Sequence, residues 1–376
     1  MKRIFIDGRP IRIPFSGVAQ YTARLFINLP ARDLRYDLVL TEFHEALKFF
    51  SILGHETRDG LIKSPMPRKI WTASNRYLPF GGRLLPKIRD AELVHLTHFE
   101  TFPKNLSTKT KTVLTIHDMI FTRHPEWFTR RNLNASQMSI NQIMNRQIDL
   151  VITPSIHTAE MVSEYGYRGR VEVTHLAATS FLEYKTHLSI EESRVLHEKP
   201  FALFLGNLEP RKGIHFLLNA WRLSNAKSDL RLVLIGKTAY LANEIQEEID
   251  RAIAEGLDIL QLGFVSENFK SVALRLARFL VYPTMDEGFG IPVLDAMSLG
   301  LPVISSKAGS IPEIAGDSAL LTEVGEIEEI ANCIDNLTYD DELHARYSKA
   351  GKVKSSSYSW AKTSQLTYHL YKDLLK

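Results

Sequence analysis

The stretch "TMDEGFGIPVLDAM" (284–297) puts a carboxylate, Glu287, against Gly288, Phe289 and Gly290, then Pro292 and a second carboxylate, Asp295. The glycines let backbone come close to a ligand. Pro292 suits the first position of a helix, and Asp295 is expected in its first turn. A helix N-terminus offers unpaired N–H groups and a dipole that favours an anion such as phosphate. Two acids beside an anion site make chemical sense if they accept hydrogen bonds from vicinal hydroxyls. Together these features fit a diphosphate at the helix, a ribose at one acid and a hexose at the other. On spacing alone, Asp295 as a helix-start acid and Glu287 as an ordinary loop residue stand equally well.

A second stretch, "LGNLEPRKGIHFLLNAW" (205–221), ends a strand and presents Arg211 and Lys212 before a helix. Arginine binds a diphosphate bidentately and lysine acts as a point charge. The alternative is a solvated basic turn. A third, "IPFSGVAQYTARLF" (13–26), places Gly17 between a strand and a helix without a full glycine fingerprint. A fourth, "LTIHDMIFTRHPEWF" (114–128), sets His117 and Asp118 directly after a strand. There a histidine can meet a sugar hydroxyl with Asp118 orienting it, or the pair can simply cap the loop. His95 and His98 lie three apart without a third ligand at metal spacing, so no zinc site is expected.

These groups need a scaffold. Short β-branched runs at 3–7, 36–41, 91–97, 111–116 and 149–155 read as strands, with a helix carrying Val18, Tyr21, Leu25 and Leu29 on one face and another over 129–147. The pattern restarts at 201–206, followed by a helix at 213–224, a strand at 230–236, a helix to about 255, and strands at 258–263, 278–284 and 301–306. Alternating strands and helices predict parallel sheets covered on both faces. The expected fold class is α/β, with two doubly wound Rossmann-like domains facing across a cleft. The predicted boundaries are 1–181, a linker at 182–199, a second domain at 200–355, and a last helix in 356–376 that crosses back to the first domain. That helix offers Trp360, Leu366, Leu370 and Leu374 for packing.

A length of 376 residues fits two domains. A hydrophobic content of 44%, a charged content of 24% and a net charge of +3 are those of a soluble globular protein and do not call for nucleic acid. One cysteine, Cys333, argues against a disulfide framework and for a reducing, cytoplasmic setting. The N-terminal residues read as a strand rather than a signal peptide. Apolar runs stay short of the ~18 residues that span a bilayer. Residues 63–89 carry Lys63, Arg68, Lys69, Arg76, Arg83, Lys87 and Arg89 without an acid, interleaved with Trp71, Tyr77 and Phe80. Such a segment suits peripheral contact with an anionic membrane, with a solvated face as the alternative. The chain contains no Asp-x-Asp, no P-loop, no G-x-S-x-G and no G-x-G-x-x-G after its first strand.

Taken together, the motifs resemble the retaining, metal-independent glycosyltransferases of family four, which have the GT-B fold. The resemblance spans nearly the whole chain and is strongest over 201–322. "GNLEPRKG" is similar to that family's donor-phosphate loop, which implies Arg211 and Lys212 as diphosphate cations. "DEGFGIPVLDAM" is similar to its E-x7-E motif, which implies Glu287 at the transferred sugar and Asp295, one methylene shorter than the usual Glu, at the ribose. "SGVAQYT" resembles the glycine turn near the donor diphosphate, and "TIHDM" the segment whose histidine lies near the sugar. Many members carry Arg where this chain has Asn207.

The implied site has Glu287, Lys212, Arg211 and His117 in catalysis. Gly17, Asn207, Gly288, Phe289, Gly290 and Asp295 are expected at the donor, and His98 and Asp118 toward the acceptor. No metal or other cofactor is expected; the nucleotide-sugar donor is a substrate. The partner is a lipid-linked glycan, and the closest likeness is to bacterial mannosyl- and rhamnosyltransferases of surface-polysaccharide assembly. GDP-mannose is the first donor expectation, ahead of UDP-glucose, UDP-N-acetylglucosamine and dTDP-rhamnose. The competing readings are a nucleotide-sugar epimerase or hydrolase and a non-catalytic partner of another transferase.

Overall fold

The β-branched runs form two parallel sheets. The computed structural model describes residues 1–11, 16–53, 59–64, 91–99, 109–144, 148–179, 188–239 and 243–376. The basic–aromatic segment 63–89 falls almost wholly outside these residues. The chain divides into two compact units. One comprises Met1–Pro125, Thr129–Leu176 and Ser359–Lys376; the other comprises Glu126–Phe128 and Ala177–Tyr358.

In the first unit the strands are β1 (Lys2–Asp7), β2 (Leu34–Leu40), β3 (Leu61–Lys63), β4 (Leu93–Leu96), β5 (Lys111–Thr115), β6 (Leu150–Thr153) and β7 (Val171–Val173). They pair in parallel in the order β3-β2-β1-β4-β5-β6-β7. In the second, β8 (Phe201–Leu205), β9 (Arg231–Ile235), β10 (Ile259–Gly263), β11 (Phe279–Tyr282), β12 (Val303–Ser306) and β13 (Leu320–Thr322) follow the parallel order β10-β9-β8-β11-β12-β13. Each sheet reverses its order beside its first strand, at β1/β4 and at β8/β11. At such a point the loops leaving the carboxyl ends part and leave a crevice for ligands. All residues of β8 and β11 are buried, because helices cover both faces of a parallel sheet.

The helix Gly17–Asn28 is buried from Ala19 through Phe26, more than one face's worth, because the helix Trp360–Leu374 lies on it. That last helix does not use the leucine stripe the sequence suggested. Its buried residues are Trp360, Thr363, Ser364, Thr367 and Tyr371, while Leu366 is 41% exposed. Small hydroxyl residues let two helices approach closely, and the hydroxyls find local acceptors: Thr363 and Thr367 each donate to the carbonyl four residues back, and Ser364 donates to the Leu25 carbonyl at 3.3 Å. Tyr371 reaches the core, where its hydroxyl meets His95 Nδ1; His95 Nε2 lies 2.7 Å from Thr115 Oγ1.

Within the segment expected as a linker, 182–199, lies a helix of the second unit, Ile190–His197. The chain passes between the units earlier, at Leu176 and Ala177. Ser189 and Glu192 close a reciprocal capping box at the start of that helix. This Ser-x-x-Glu signal is visible in the sequence and outweighs the segment's polar composition.

Candidate active site

β8 ends at Leu205, and the loop beyond it is tied down on one side: Leu208 N–H donates to the Lys237 carbonyl at 2.9 Å, and Ala239 N–H returns to the Leu208 carbonyl at 3.1 Å. A single 3-10 turn, Pro210–Lys212, follows and ends at Gly213, whose φ is +66°. A Cβ at Gly213 would sit 1.9 Å from the Pro283 carbonyl oxygen, so only glycine permits this approach. The Arg211 carbonyl accepts from Met285 N–H at 2.7 Å and from Thr284 Oγ1 at 3.1 Å. The cationic turn is thereby fastened to the loop that carries Glu287.

Four groups converge there. Glu287 Oε1 pairs closely with Lys212 Nζ and accepts from the Tyr282 hydroxyl at 2.7 Å, with Thr284 Oγ1 3.2 Å away. Lys212 Nζ also donates to the Tyr282 hydroxyl at 2.7 Å. Arg211 Nη1 stands 3.6 Å from Glu287 Oε2, while its Nη2 pairs with Glu209 Oε1 at 2.7 Å. The Glu287 carbonyl accepts from both the N–H and the hydroxyl of Ser310, each at 3.0 Å.

Burial raises the Glu287 carboxyl's pKa, but Lys212 and Arg211 outweigh it and hold the group at about 2. For Lys212, burial and then the neighbouring Arg211 pull the ammonium down, against Glu287 and Glu209. Direct pairing with a carboxylate keeps the buried ammonium charged. Because the Glu287 pKa is depressed, its contribution to stability is complete above the ordinary carboxylate range and is lost as pH falls toward 2.

Gly290 begins the helix Ile291–Leu299 in a left-handed conformation, with Pro292 second, rather than first, in the first turn. Asp295 is not in that turn. It is the fifth helical residue, just past the first turn, and only 2% exposed. Its Oδ1 accepts the Thr179 N–H at 2.6 Å. Burial pushes its pKa up to about 7, with Lys270 and Thr179 opposing and Glu267 adding to the rise.

An acid with a raised pKa contributes stability that is complete below the unfolded value, near 3.8, and that is lost as pH rises through about 7. Asp295→Asn should therefore melt higher than the parent at pH 8 and lose that advantage at pH 4. The difference is at most about 4 kcal/mol. Thermal melts of the donor-free protein across that range check it. A constant offset at every pH would show that Asp295 does not carry the effect.

The other expected donor residues divide. Phe289 is 5% exposed and packs edge-on against Tyr358 at 6.2 Å, so it shapes the loop from inside. Asn207 is exposed, and Gly17 is the exposed first residue of its helix, capped by Ser16, whose hydroxyl accepts from Ala19 N–H at 3.1 Å.

His98, His117 and Asp118 belong to the first unit, at the carboxyl ends of β4 and β5. His117 Nε2 donates to the Thr97 carbonyl at 2.9 Å, with Tyr21 against the ring edge at 4.9 Å. Burial, with His98 nearby, drops its pKa to about 3, so the ring is neutral and Nδ1 is its acceptor. Thr97, not Asp118, orients the ring; Asp118 Oδ1 lies 3.4 Å from Ile120 N–H, its donor. His98 stacks on Phe99 at 5.2 Å and lies 6.1 Å from His117.

Sequence reasoning missed Tyr282, Thr284, Glu209, Ser310 and Thr179. The "VYPT" at the end of β11 was the only local hint, a hydroxyl pair just upstream of Glu287.

Two family models match in series: "Glycosyltransferase Family 4" over residues 15–177 and "Glycosyl transferases group 1" over residues 187–354. The chain belongs to the group 1/family 4 glycosyltransferases. The second match contains Arg211, Lys212, Glu287 and Asp295 of this transferase, and the first contains His98 and His117. Over its whole length the transferase is 27% identical to O-antigen chain mannosyltransferase B of Escherichia coli, covering 99% of this chain and 100% of that protein. Over 176 residues it is 31% identical to phosphatidyl-myo-inositol mannosyltransferase of Mycobacterium leprae, 45% of each chain. Its fold is GT-B: the structure of Anabaena HepE in complex with UDP-glucose superposes with a TM-score of 0.75 at 18% identity, covering 99% of this chain and 100% of that one. Among the described residues no helix is long and apolar enough to cross a membrane.

Proposed function

We propose that this transferase moves mannose from GDP-mannose to a hydroxyl of a lipid-linked glycan during surface-polysaccharide synthesis, in the cytoplasm, with retention of anomeric configuration and without a metal. The observation that carries this reading is the fastening of Arg211 and Lys212 beside Glu287 at the carboxyl ends of β8 and β11. The full-length likeness to an O-antigen chain mannosyltransferase favours mannose.

In the proposed reaction the bond from the anomeric carbon to the diphosphate breaks, and negative charge grows on the departing phosphate. Lys212, Arg211 and the N-terminus of Ile291–Leu299 stabilise that charge in a site where water is scarce, which is where preorganised charge acts most strongly. Glu287 accepts hydrogen bonds from hydroxyls of the sugar. On the first unit, neutral His117 offers Nδ1 to accept a hydrogen bond from a substrate hydroxyl without adding charge. The leaving phosphate takes the proton of the attacking hydroxyl on the same face, so the configuration is kept without an enzymic nucleophile.

The test incubates the purified protein with GDP-mannose, UDP-glucose, UDP-N-acetylglucosamine and dTDP-rhamnose in excess EDTA, with and without lipid-linked glycan. Nucleotide release is followed, and the product's anomeric proton is read by NMR. Acceptor-stimulated, EDTA-resistant GDP release with an α-linked product is expected. Selective use of another donor would overturn the mannose assignment. Free sugar as the main product with acceptor present would point to hydrolysis. A trapped sugar–enzyme adduct would overturn the same-face path.

A further inference from the structure

Tyr282 is the last residue of β11 and has no exposed surface. Its ring stacks on Phe204 with centroids 5.9 Å apart, and its carbonyl accepts from Ser305 Oγ at 2.6 Å. Phenylalanine would satisfy this packing equally well. A buried phenol hydroxyl needs partners, and this one has two that face each other: Lys212 Nζ at 2.7 Å and Glu287 Oε1 at 2.7 Å.

Because an ammonium only donates and a carboxylate only accepts, the protons have one order. Lys212 N–H donates to the phenol oxygen, and the phenol O–H donates to Glu287. We propose that Tyr282 is a positioning residue for the transfer, its hydroxyl fixing which N–H of Lys212 and which oxygen of Glu287 face the donor. This deepens the proposed function and rests on that assignment of the site.

The consequence follows from valence. Lys212 has three N–H bonds; one goes to Glu287 and one to Tyr282, and tetrahedral geometry then sets the direction of the third. On Glu287, Oε1 receives Lys212 and Tyr282 together, so Oε2, with Arg211 at 3.6 Å, is the oxygen presented to sugar hydroxyls. Without the phenol both groups can rotate. Burial and the Glu287 charge hold the Tyr282 phenol well above its ordinary pKa, so it stays a donor to Glu287 at every working pH.

Tyr282→Phe tests this, since the ring volume is kept. In the donor-free protein, labelled with 13C at glutamate carboxyls, the Glu287 line (assigned by its loss in Glu287→Gln) should titrate about one unit higher in Tyr282→Phe. The groups facing this pair are Arg211, Glu209 and Thr284, all retained in the variant. With donor and acceptor, kcat should fall by about 10- to 100-fold with donor KM changed less than about threefold, and the pH–rate profile should narrow on both limbs. In a Glu287→Gln background the same change should cost less than about threefold, because its partner is already altered. An unmoved Glu287 titration, a loss confined to KM, or full additivity with Glu287→Gln would each overturn the proposal. If the wild-type protein turns over no nucleotide sugar, the proposed function falls, while the donor-free titration still decides whether Tyr282 holds Glu287.

Discussion

Replacing Lys212 by alanine should lower kcat by about 10³-fold, with a smaller change in donor KM. Lys212 is 6% exposed and touches both Glu287 and Tyr282, so its charge acts where water does not screen it. In the proposed role its attraction to the diphosphate strengthens as the bond to the sugar breaks, and an interaction that grows toward the transition state shows in kcat. Arg211 remains, 3.6 Å from Glu287 and paired with Glu209, and keeps part of the donor affinity. Truncation also leaves a buried carboxylate without its nearest cation, which costs about 3 kcal/mol. Melting curves must therefore accompany the kinetics, taken at a temperature where the variant is folded. A kcat within tenfold of wild type would remove Lys212 from the leaving-group role.

Gly309→Ala should be nearly as severe, although Gly309 carries no chemistry. Its φ is +56°, and a Cβ there would lie 2.5 Å from Glu287 N, 2.5 Å from Glu287 O and 2.5 Å from Asp286 Oδ1. Two of these atoms are backbone and cannot step aside without moving Glu287 itself. The same loop holds the Glu287 carbonyl through Ser310 N–H and Oγ. A shift of about 1 Å in a catalytic group costs about 100-fold in rate, and the strain adds about 3 kcal/mol. Gly256→Ala is the control: its φ is +91° and a Cβ would meet nothing within 4 Å. It should lose about 1 kcal/mol of stability and leave kcat unchanged. Similar kinetic losses in both variants would mean that the crowding at Gly309 is not what matters.

Much of the scaffold was readable because parallel strands buried on both faces are unbroken apolar runs; "FALFL" and "FLVY" became β8 and β11. Arg211, Lys212 and Glu287 could be singled out by their place beside glycine turns at strand ends, and the structure does bring them together. Tyr282 stayed hidden because inside an apolar run a tyrosine looks like core. Only the pairing of β11 with β8 shows that its hydroxyl reaches Lys212. Asp295 falls just beyond the first turn because the helix begins a residue earlier than Pro292 suggests, and its partner, Thr179, lies 116 residues away. The face of the last helix is not the one its leucines suggest, because the small Thr363, Ser364 and Thr367 are what allow close packing.

The docking of Trp360–Leu374 onto the first unit also bears on how the molecule is made. As the chain leaves the ribosome, β1 to β7 emerge first, yet the hydroxyl that meets His95 in their core belongs to Tyr371. The amino-terminal unit therefore stays unfinished until residues 359–376 have been synthesised, and the intervening unit, whose segments are by then all translated, can close before it. Vectorial synthesis here allows the later unit to be completed first. The nascent amino-terminal sheet has to wait with the surface of Gly17–Asn28 uncovered, the stage at which chaperones have most to hold.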